Sequence, residues 1–201
     1  MSEKRYLLRI KLEEVDPEIW REFVVPADIT LDRLHDVIQI VMGWTDSHLY
    51  EFIIGKKHYA ESAEGHELEA GEYRLGDLVK QKGRDFDYRY DFGDNWLHEI
   101  VIEDNRYVHP PIVSEIECLD GARACPIENI GGVLGHEELC EALNDPDHED
   151  HECIMESYGD SYDSEAFDKG EINDGLIVFQ RWSRDRYLPW RDIRSVKNGS
   201  D

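Results

Sequence analysis

The sequence lacks long apolar runs and is poor in positive charge. No run approaches the roughly 20 apolar residues needed to span a bilayer, so we expect no membrane segment and no membrane partner. The 201 residues include 22 lysines and arginines against 46 aspartates and glutamates, a formal net charge of -24. Such a surface repels anionic lipid and nucleic acid, so we expect no duplex nucleic acid among its partners.

Cysteine is also scarce, with four residues in the chain. A chain of this length does not need disulfides to stabilise its core. The start, Met1 to Tyr6, is charged and lacks the apolar segment of a secretory leader. We therefore expect reduced thiols and a cytoplasmic protein.

Apolar periodicity near the start predicts a β-hairpin followed by a helix. Residues 6–12 alternate between apolar and polar, and a turn-rich stretch separates them from the apolar run 19–25. Apolar residues then recur at three- and four-residue spacing, which predicts a helix over 31–43. Thr30 is the expected cap of this helix and Gly43 its end.

Further strands are predicted after the helix. Residues 48–54 form one strand, and a tight turn leads to a short partner at 56–59. The acidic stretch 60–74 has no apolar period and is expected to be a surface loop. Strict alternation over 85–92, followed by a second strand at 96–103, predicts the clearest hairpin in the chain.

The second half changes character. Residues 108–135 are rich in proline, glycine and cysteine and are expected to form an ordered but irregular stretch before a helix near 134–143. We predict an α+β fold: a mostly antiparallel sheet of about five or six strands, a helix packed on one face, and a C-terminal helical extension. A single domain over 1–201 is expected, with a core at about 5–132, an acidic helical lobe at about 133–180 and a basic tail at 181–201.

Five groups of residues occur in order along the chain: Pro17-Glu-Ile-Trp-Arg21, Leu34-His-Asp-Val-Ile-Gln39 with Met42-Gly-Trp44, His48-Leu-Tyr-Glu-Phe52, Tyr90-Asp-Phe-Gly-Asp-Asn-Trp-Leu-His-Glu99, and Cys125-Pro-Ile-Glu-Asn-Ile-Gly-Gly132. Together they resemble the plasmid pRiA4b ORF-3-like family over roughly residues 5 to 180. The resemblance implies an α+β domain of unestablished function. Some members carry a transposon resolvase label without biochemical support, which associates the family with mobile elements.

Carboxylates and an imidazole surround the turn of the hairpin 85–103. Asp91 and Asp94 flank a glycine, and His98 follows on the returning strand, so these side chains could converge at the hairpin mouth. Such groups are the ligands of hydrolytic divalent-metal sites, where the metal lowers the pKa of a bound water. In this reading Asp91, Asp94, His98 and His48 are the candidate metal ligands, and His98 is the candidate general base.

The same region also fits a surface without catalysis. Turn chemistry alone explains Asp94 and Asn95, while Trp96 can anchor the strand and His98 can be a half-buried, hydrogen-bonded residue. The candidate binding residues are then four: His48, Asn95, Trp96 and Glu128. We favour a cytosolic, non-catalytic binding or interaction module with a protein or small-molecule partner. The alternative is a divalent-metal-dependent hydrolase with a phosphoester as candidate substrate, and a divalent metal is the one cofactor considered.

Two other features have weaker functional readings. Thiols and imidazoles recur in the second half: Cys118, Cys125, Cys140, His148, His151 and Cys153. Their spacing mostly differs from the short paired spacing of structural zinc sites, so scattered histidines on a solvated acidic helix explain them better. The acidic density of residues 136–174 could steer a basic partner, although solubility is the favoured explanation.

Overall fold

The computed structural model describes residues 4–61, 65–108, 114–159 and 161–181. The described strands form one sheet in the order β5-β4-β3-β6-β7-β1-β2-β8. All neighbours are antiparallel except β4 and β5, which are parallel. The strands are β1 (Arg5–Leu12), β2 (Trp20–Pro26), β3 (Tyr50–Ile54), β4 (Lys57–Ala60), β5 (Leu68–Glu69), β6 (Asp85–Tyr90), β7 (Trp96–Asp104) and β8 (Glu117–Ala122).

Five α-helices accompany the sheet in the described residues: α1 (Leu31–Met42), α2 (Leu75–Leu78), α3 (Gly132–Asn144), α4 (His151–Tyr158) and α5 (Lys169–Arg181). A short 3-10 turn over Ala70–Glu72 precedes α2. None of the described helices has the length and apolar character needed to cross a membrane. The α+β class and the mostly antiparallel sheet agree with the sequence prediction.

The helix predicted over 31–43 is α1, and both of its ends follow the sequence signals. Gly43 adopts a left-handed conformation with φ of 94°, which is the geometry that lets glycine end a helix. Thr30 occupies the N-cap position with extended backbone, but its side chain makes no capping hydrogen bond. Thr30 is therefore at the predicted N-cap position, but it lacks the side-chain hydrogen bond by which a cap stabilises a helix.

The core lies between α1 and one face of the sheet. Every second residue of the central strands points to this face, as the period of two requires. Fully or almost fully buried side chains from β1, β6 and β7 are Tyr6, Leu8, Ile10, Leu12, Phe86, Tyr88, Tyr90, Trp96, Ile100 and Ile102. Each large apolar side chain buried in this way stabilises the fold by about 1.5–3 kcal/mol.

The edge strand β8 is protected by side chains of α5. Asn173 accepts a hydrogen bond from the backbone N–H of Cys118 at 2.9 Å and donates one to its carbonyl oxygen at 3.0 Å. Two turns further along the helix, Gln180 does the same for Ile116, at 3.3 and 3.1 Å. The two amides replace a missing neighbouring strand, which blunts an edge that would otherwise pair with another chain.

Three differences from the sequence prediction concern the extent of the elements. The sheet has eight strands, whereas five or six were expected. β8 lies inside the segment predicted to be irregular. Its six residues include a glycine and a single fully buried side chain, Cys118, so they show no apolar alternation. Two residues of the predicted loop 60–74 form β5. The basic tail at 181–201 lies outside the described residues beyond Arg181.

Candidate functional site

The turn between β6 and β7, which we call the hairpin mouth (residues 91–95), is organised by the Asp91 side chain. Its Oδ1 accepts hydrogen bonds from the backbone N–H groups of Gly93 at 2.9 Å and Asp94 at 3.4 Å. Asp91 and Asn95 have φ of 54° and 57°, a left-handed conformation that Asp and Asn tolerate better than most residues. The turn therefore needs Asp91 for its shape.

Asp94 reaches across to a different segment. Its Oδ2 accepts a hydrogen bond from the backbone N–H of Gly131 at 3.2 Å. The next residue, Gly132, has φ of 72°, and a Cβ atom there would lie 2.6 Å from the Asp94 carbonyl oxygen. Only glycine fits such a close approach between two backbones. The crossing segment (residues 125–132) is thus the second wall of the hairpin mouth.

Glu128 joins the crossing segment to the α1–β3 loop (residues 43–49). Its Oε1 accepts hydrogen bonds from the Tyr90 hydroxyl at 2.7 Å and from the backbone N–H of Thr45 at 3.1 Å. Its Oε2 accepts a hydrogen bond from the Thr45 hydroxyl. Burial alone would raise the pKa of the Glu128 carboxyl group, but the hydrogen bonds from Thr45 and Tyr90 outweigh it and hold the pKa below its ordinary value.

The Tyr90 hydroxyl is the central atom of this arrangement. It donates to Glu128 and accepts a hydrogen bond from the backbone N–H of Ser47 at 3.0 Å. Burial, together with the bond to Glu128, raises the pKa of Tyr90 well above its ordinary value, so the hydroxyl stays protonated. Trp44 stacks on the Tyr90 ring at 4.9 Å and donates from Nε1 to the carbonyl oxygen of Pro126.

His48 and Asp91 form a polar pair at the mouth. His48 Nε2 lies 3.5 Å from Asp91 Oδ2, and the two side chains are 26% and 10% exposed. His48 extends from the α1–β3 loop, so this pair joins that loop directly to the hairpin mouth. Both residues were predicted as metal ligands, and the distance between them is longer than that of a strong hydrogen bond.

His98 does not reach the mouth. It is completely buried, and its Nδ1 donates to the Tyr88 carbonyl oxygen at 3.2 Å, while Nε2 has no hydrogen-bond partner among the described residues. Burial lowers the pKa of His98 to about 4. The alternation of β7 causes this placement, because Trp96, His98 and Ile100 share the inward face. His98 therefore belongs to the core, and we do not retain it as a candidate base or metal ligand.

Trp96 is likewise fully buried, with its Nε1 unpartnered in the described structure. It acts as the strand anchor that the alternative reading expected and offers no surface for a ligand. Asn95 is exposed and occupies its left-handed turn position. Four of the seven predicted residues therefore make hydrogen bonds or polar contacts that join the loops of the candidate site: His48, Asp91, Asp94 and Glu128.

The residues that sequence reasoning missed are the hydroxyl groups that complete the site, on Thr45, Ser47 and Tyr90. Tyr90 carries no sequence signal of its own, because it looks like any aromatic residue on the buried face of a strand. Thr45 and Ser47 had a weak signal, since these hydroxyl residues stand close behind Gly43, the glycine that ends α1. Only the fold reveals that the Glu128 carboxylate accepts hydrogen bonds from both Thr45 and Tyr90.

The thiols and imidazoles of the second half do not assemble into a zinc site in the part of the chain that the structure describes, since no three of them offer ligand atoms close together. All four cysteines are free, and burial raises the pKa of Cys118 to about 11. His136, a residue the sequence had not singled out, lies 3.7 Å from the Cys140 sulfur within α3. A buried thiol with a raised pKa, such as that of Cys118, is a poor nucleophile and a poor metal ligand.

The fold and the site together define an α+β protein in which three loops meet at one end of an eight-stranded sheet. The chain belongs to the plasmid pRiA4b ORF-3-like protein family, whose model matches residues 4–171.

Two relatives extend this result. The chain is 39% identical over 185 residues to the uncharacterized protein y4hQ of Sinorhizobium fredii (strain NBRC 101917 / NGR234), and the match covers 88% of this chain and 93% of that protein. It is also similar to the crystal structure of MM3350, a protein of unknown function from Methanosarcina mazei Go1. That similarity has a TM-score of 0.77 and 35% identity, and it covers 84% of this chain and 97% of the other. Neither name states an activity.

Proposed function

We propose that the protein is a cytosolic, non-catalytic binding module that recognises a partner protein through the hairpin mouth and its neighbouring loops. The observation that carries this proposal is the role of the carboxylates in and beside the hairpin mouth. Glu128 and Asp94 accept hydrogen bonds from other segments, and Asp91 shapes its own turn. Carboxylates engaged in this way fix the positions of loops, and a fixed surface loses less entropy when a partner binds.

Two large apolar side chains lie exposed at the same end of the sheet. Leu49, just before β3, is 64% exposed, and Phe92, in the hairpin mouth, is 51% exposed. The backbone N–H of Asp91 donates to the carbonyl oxygen of Leu49 at 2.9 Å, so the two segments are directly paired. Aromatic side chains such as Phe92 are enriched in protein interfaces, and the exposed Leu49 extends the apolar surface beside it. This combination favours a protein partner over a small molecule.

Site-specific photo-crosslinking tests the proposal. A photoreactive phenylalanine analogue is placed at Phe92, and in a matched control at Val178, which is 61% exposed on α5. In cells of the source organism, we expect a discrete protein adduct from position 92 and not from position 178. A Leu49→Asp substitution should abolish the adduct at position 92. No adduct, or the same adducts from both positions, would contradict the proposal.

The hydrolase remains a second candidate because of the His48 and Asp91 pair, which combines an imidazole and a carboxylate at a partly exposed position. In this alternative a divalent metal held by the pair would activate water toward a phosphoester. Metal-dependent hydrolysis of a generic phosphodiester, lost in Asp91→Asn and in His48→Gln, would favour this candidate over the binding module.

A further inference from the structure

A group of metal-ligating side chains lies beside the α1–β3 loop and is separate from the hairpin mouth. It consists of His35 and Asp36 of α1 and Asp46 of the loop. One imidazole nitrogen and one oxygen from each carboxylate lie within 4.8 Å of one another, and no other group of three potential ligands meets this limit in the described chain. We propose that these three residues bind a divalent transition-metal ion of the zinc type.

The imidazole of His35 is held in a fixed orientation. Its ring is completely buried and stacks on Tyr50 with the ring centroids 3.6 Å apart and 7° between the planes. Its Nδ1 lies 2.7 Å from the Tyr88 hydroxyl, and its Nε2 faces Asp46 Oδ1 at 2.8 Å. A histidine ligand usually has its second ring nitrogen bonded to an oriented partner, and Tyr88 supplies that partner here.

The hydrogen-bond network around His35 serves both the free and the metal-bound state. The Gln39 side-chain oxygen accepts from the Asp46 backbone N–H at 2.9 Å, and its nitrogen donates to the Tyr88 hydroxyl at 3.0 Å. Without metal, Tyr88 donates to Nδ1 of His35 and Nε2–H donates to Asp46. With metal on Nε2, the imidazole proton lies on Nδ1 and the Tyr88 oxygen accepts it, because a hydroxyl can fill either role.

The two carboxylates complete a site that solvent can reach. The Asp46 side chain is 43% exposed, so an ion has a path from water to the buried imidazole. Asp36 Oδ2 accepts a hydrogen bond from Arg33 at 3.0 Å, which fixes the orientation of this carboxylate beside His35. Tetrahedral zinc separates its ligand atoms by about 3.3 Å. The 2.8 Å gap between His35 and Asp46 therefore needs only a small movement of the exposed Asp46 side chain.

The choice of ion follows from the ligand types. Imidazole nitrogen suits zinc, nickel and copper, whereas two aspartate oxygens are shared by zinc and harder ions. Three protein ligands leave a coordination position for water, as in open zinc sites. An ion there would tie the α1–β3 loop to α1, and this is the loop that brings Thr45 and His48 to the hairpin mouth. The site stands independently of the proposed binding function.

Titration calorimetry with Zn²⁺ alone, on the full chain, tests the inference. We expect one ion per chain and a rise in the melting temperature on addition of Zn²⁺. Asp46→Asn should weaken binding at least about tenfold and remove the thermal shift. Asparagine retains an oxygen that accepts from His35 and tolerates the left-handed backbone of residue 46, where φ is 57°, so the apo protein should stay folded.

The matched control removes ligands of the C-terminal half through His148→Gln combined with Cys153→Ser. This variant should bind Zn²⁺ as tightly as the unmodified chain. The inference is overturned if Zn²⁺ does not bind, or if Asp46→Asn binds Zn²⁺ as tightly as the unmodified chain. His35→Gln should abolish binding as well, and circular dichroism of that variant reports whether loss of the ion or loss of the fold is responsible.

Discussion

Replacing Arg21 with methionine is expected to lower the free energy of unfolding by about 5 kcal/mol, enough to leave little folded protein. Arg21 is 3% exposed, and its guanidinium group donates to four backbone carbonyl oxygens at 2.7–2.9 Å, those of Trp20, Val41, Ala122 and Arg123. These carbonyls lie at the end of α1, in β2, and at or just beyond the end of β8. A methionine of similar length fills the space but leaves all four acceptors without this donor. Urea unfolding followed by circular dichroism measures the loss.

A matched control is Arg9→Met on the neighbouring strand. Arg9 pairs with the exposed Glu18 at 3.1 Å and stacks over Trp20 at 4.2 Å, but it contacts solvent. Exposed ion pairs and cation–π contacts of this kind contribute at most about 1 kcal/mol each. If Arg21→Met cost no more than Arg9→Met, the carbonyl cluster would not be what joins these three segments.

Replacing Gly132 with alanine should lower the free energy of unfolding by about 3 kcal/mol. Part of this, about 1–2 kcal/mol, arises because a residue with a Cβ is strained at φ of 72°. The rest arises because the new Cβ would lie 2.6 Å from the Asp94 carbonyl oxygen, so the crossing segment must move away from the hairpin mouth. Urea unfolding gives the total, and NMR chemical shifts of Asp94 and Asn95 report the displacement.

Gly131→Ala separates strain from crowding. Gly131 also has positive φ, at 97°, but the nearest atom to a new Cβ is 4.0 Å away. This variant should therefore lose only the strain contribution and leave the shifts of Asp94 and Asn95 nearly unchanged. Equal losses from Gly131→Ala and Gly132→Ala would mean that the close contact with the mouth does not contribute to stability.

The elements that the sequence predicts well are those whose pattern is local. The alternation of Phe86, Tyr88 and Tyr90 and the helical spacing of α1 follow directly from burial on one face, and both are found in the structure. β8 cannot be predicted from a local pattern, because the elements it contacts, β2 and α5, are distant from it in the sequence. Asn173 and Gln180 look like surface residues until the edge strand that they cover is known.

In the candidate site, too, local sequence patterns predicted some residues and missed those whose contacts are distant in the sequence. Asp91 and Asp94 were expected at the hairpin mouth with Glu128 as a binding residue of the same region. The structure places both aspartates in one turn and bonds Glu128 to the adjacent Tyr90. His98 was expected at the hairpin mouth because it lies close to Asp94 in the sequence. Side chains of β7 alternate between the two faces of the sheet, and this alternation directs His98 into the core. Thr45 could not be foreseen, because its contact with Glu128 spans 83 positions along the chain.

Several residues of the family motifs have structural roles. Arg21 donates hydrogen bonds to several backbone carbonyl groups, and Trp44 donates one to the Pro126 carbonyl oxygen in the crossing segment. Gly132 permits the close approach of its backbone to that of Asp94. These motif residues therefore join the loops around the hairpin mouth. Under the proposed function, two exposed residues of the same motifs, Leu49 and Phe92, contact the partner.

The central claim is that the carboxylates in and beside the hairpin mouth, those of Asp91, Asp94 and Glu128, hold the loops in place and do not serve a reaction. A double-mutant cycle between Tyr90→Phe and Glu128→Ala, measured by urea unfolding, tests it most directly. We expect Glu128→Ala to be destabilising and the coupling between the two side chains to be about 1–2 kcal/mol. A coupling near zero, with Glu128→Ala as stable as the unmodified chain or more stable, would contradict the claim, because that is the behaviour of a carboxylate retained for function at the expense of stability.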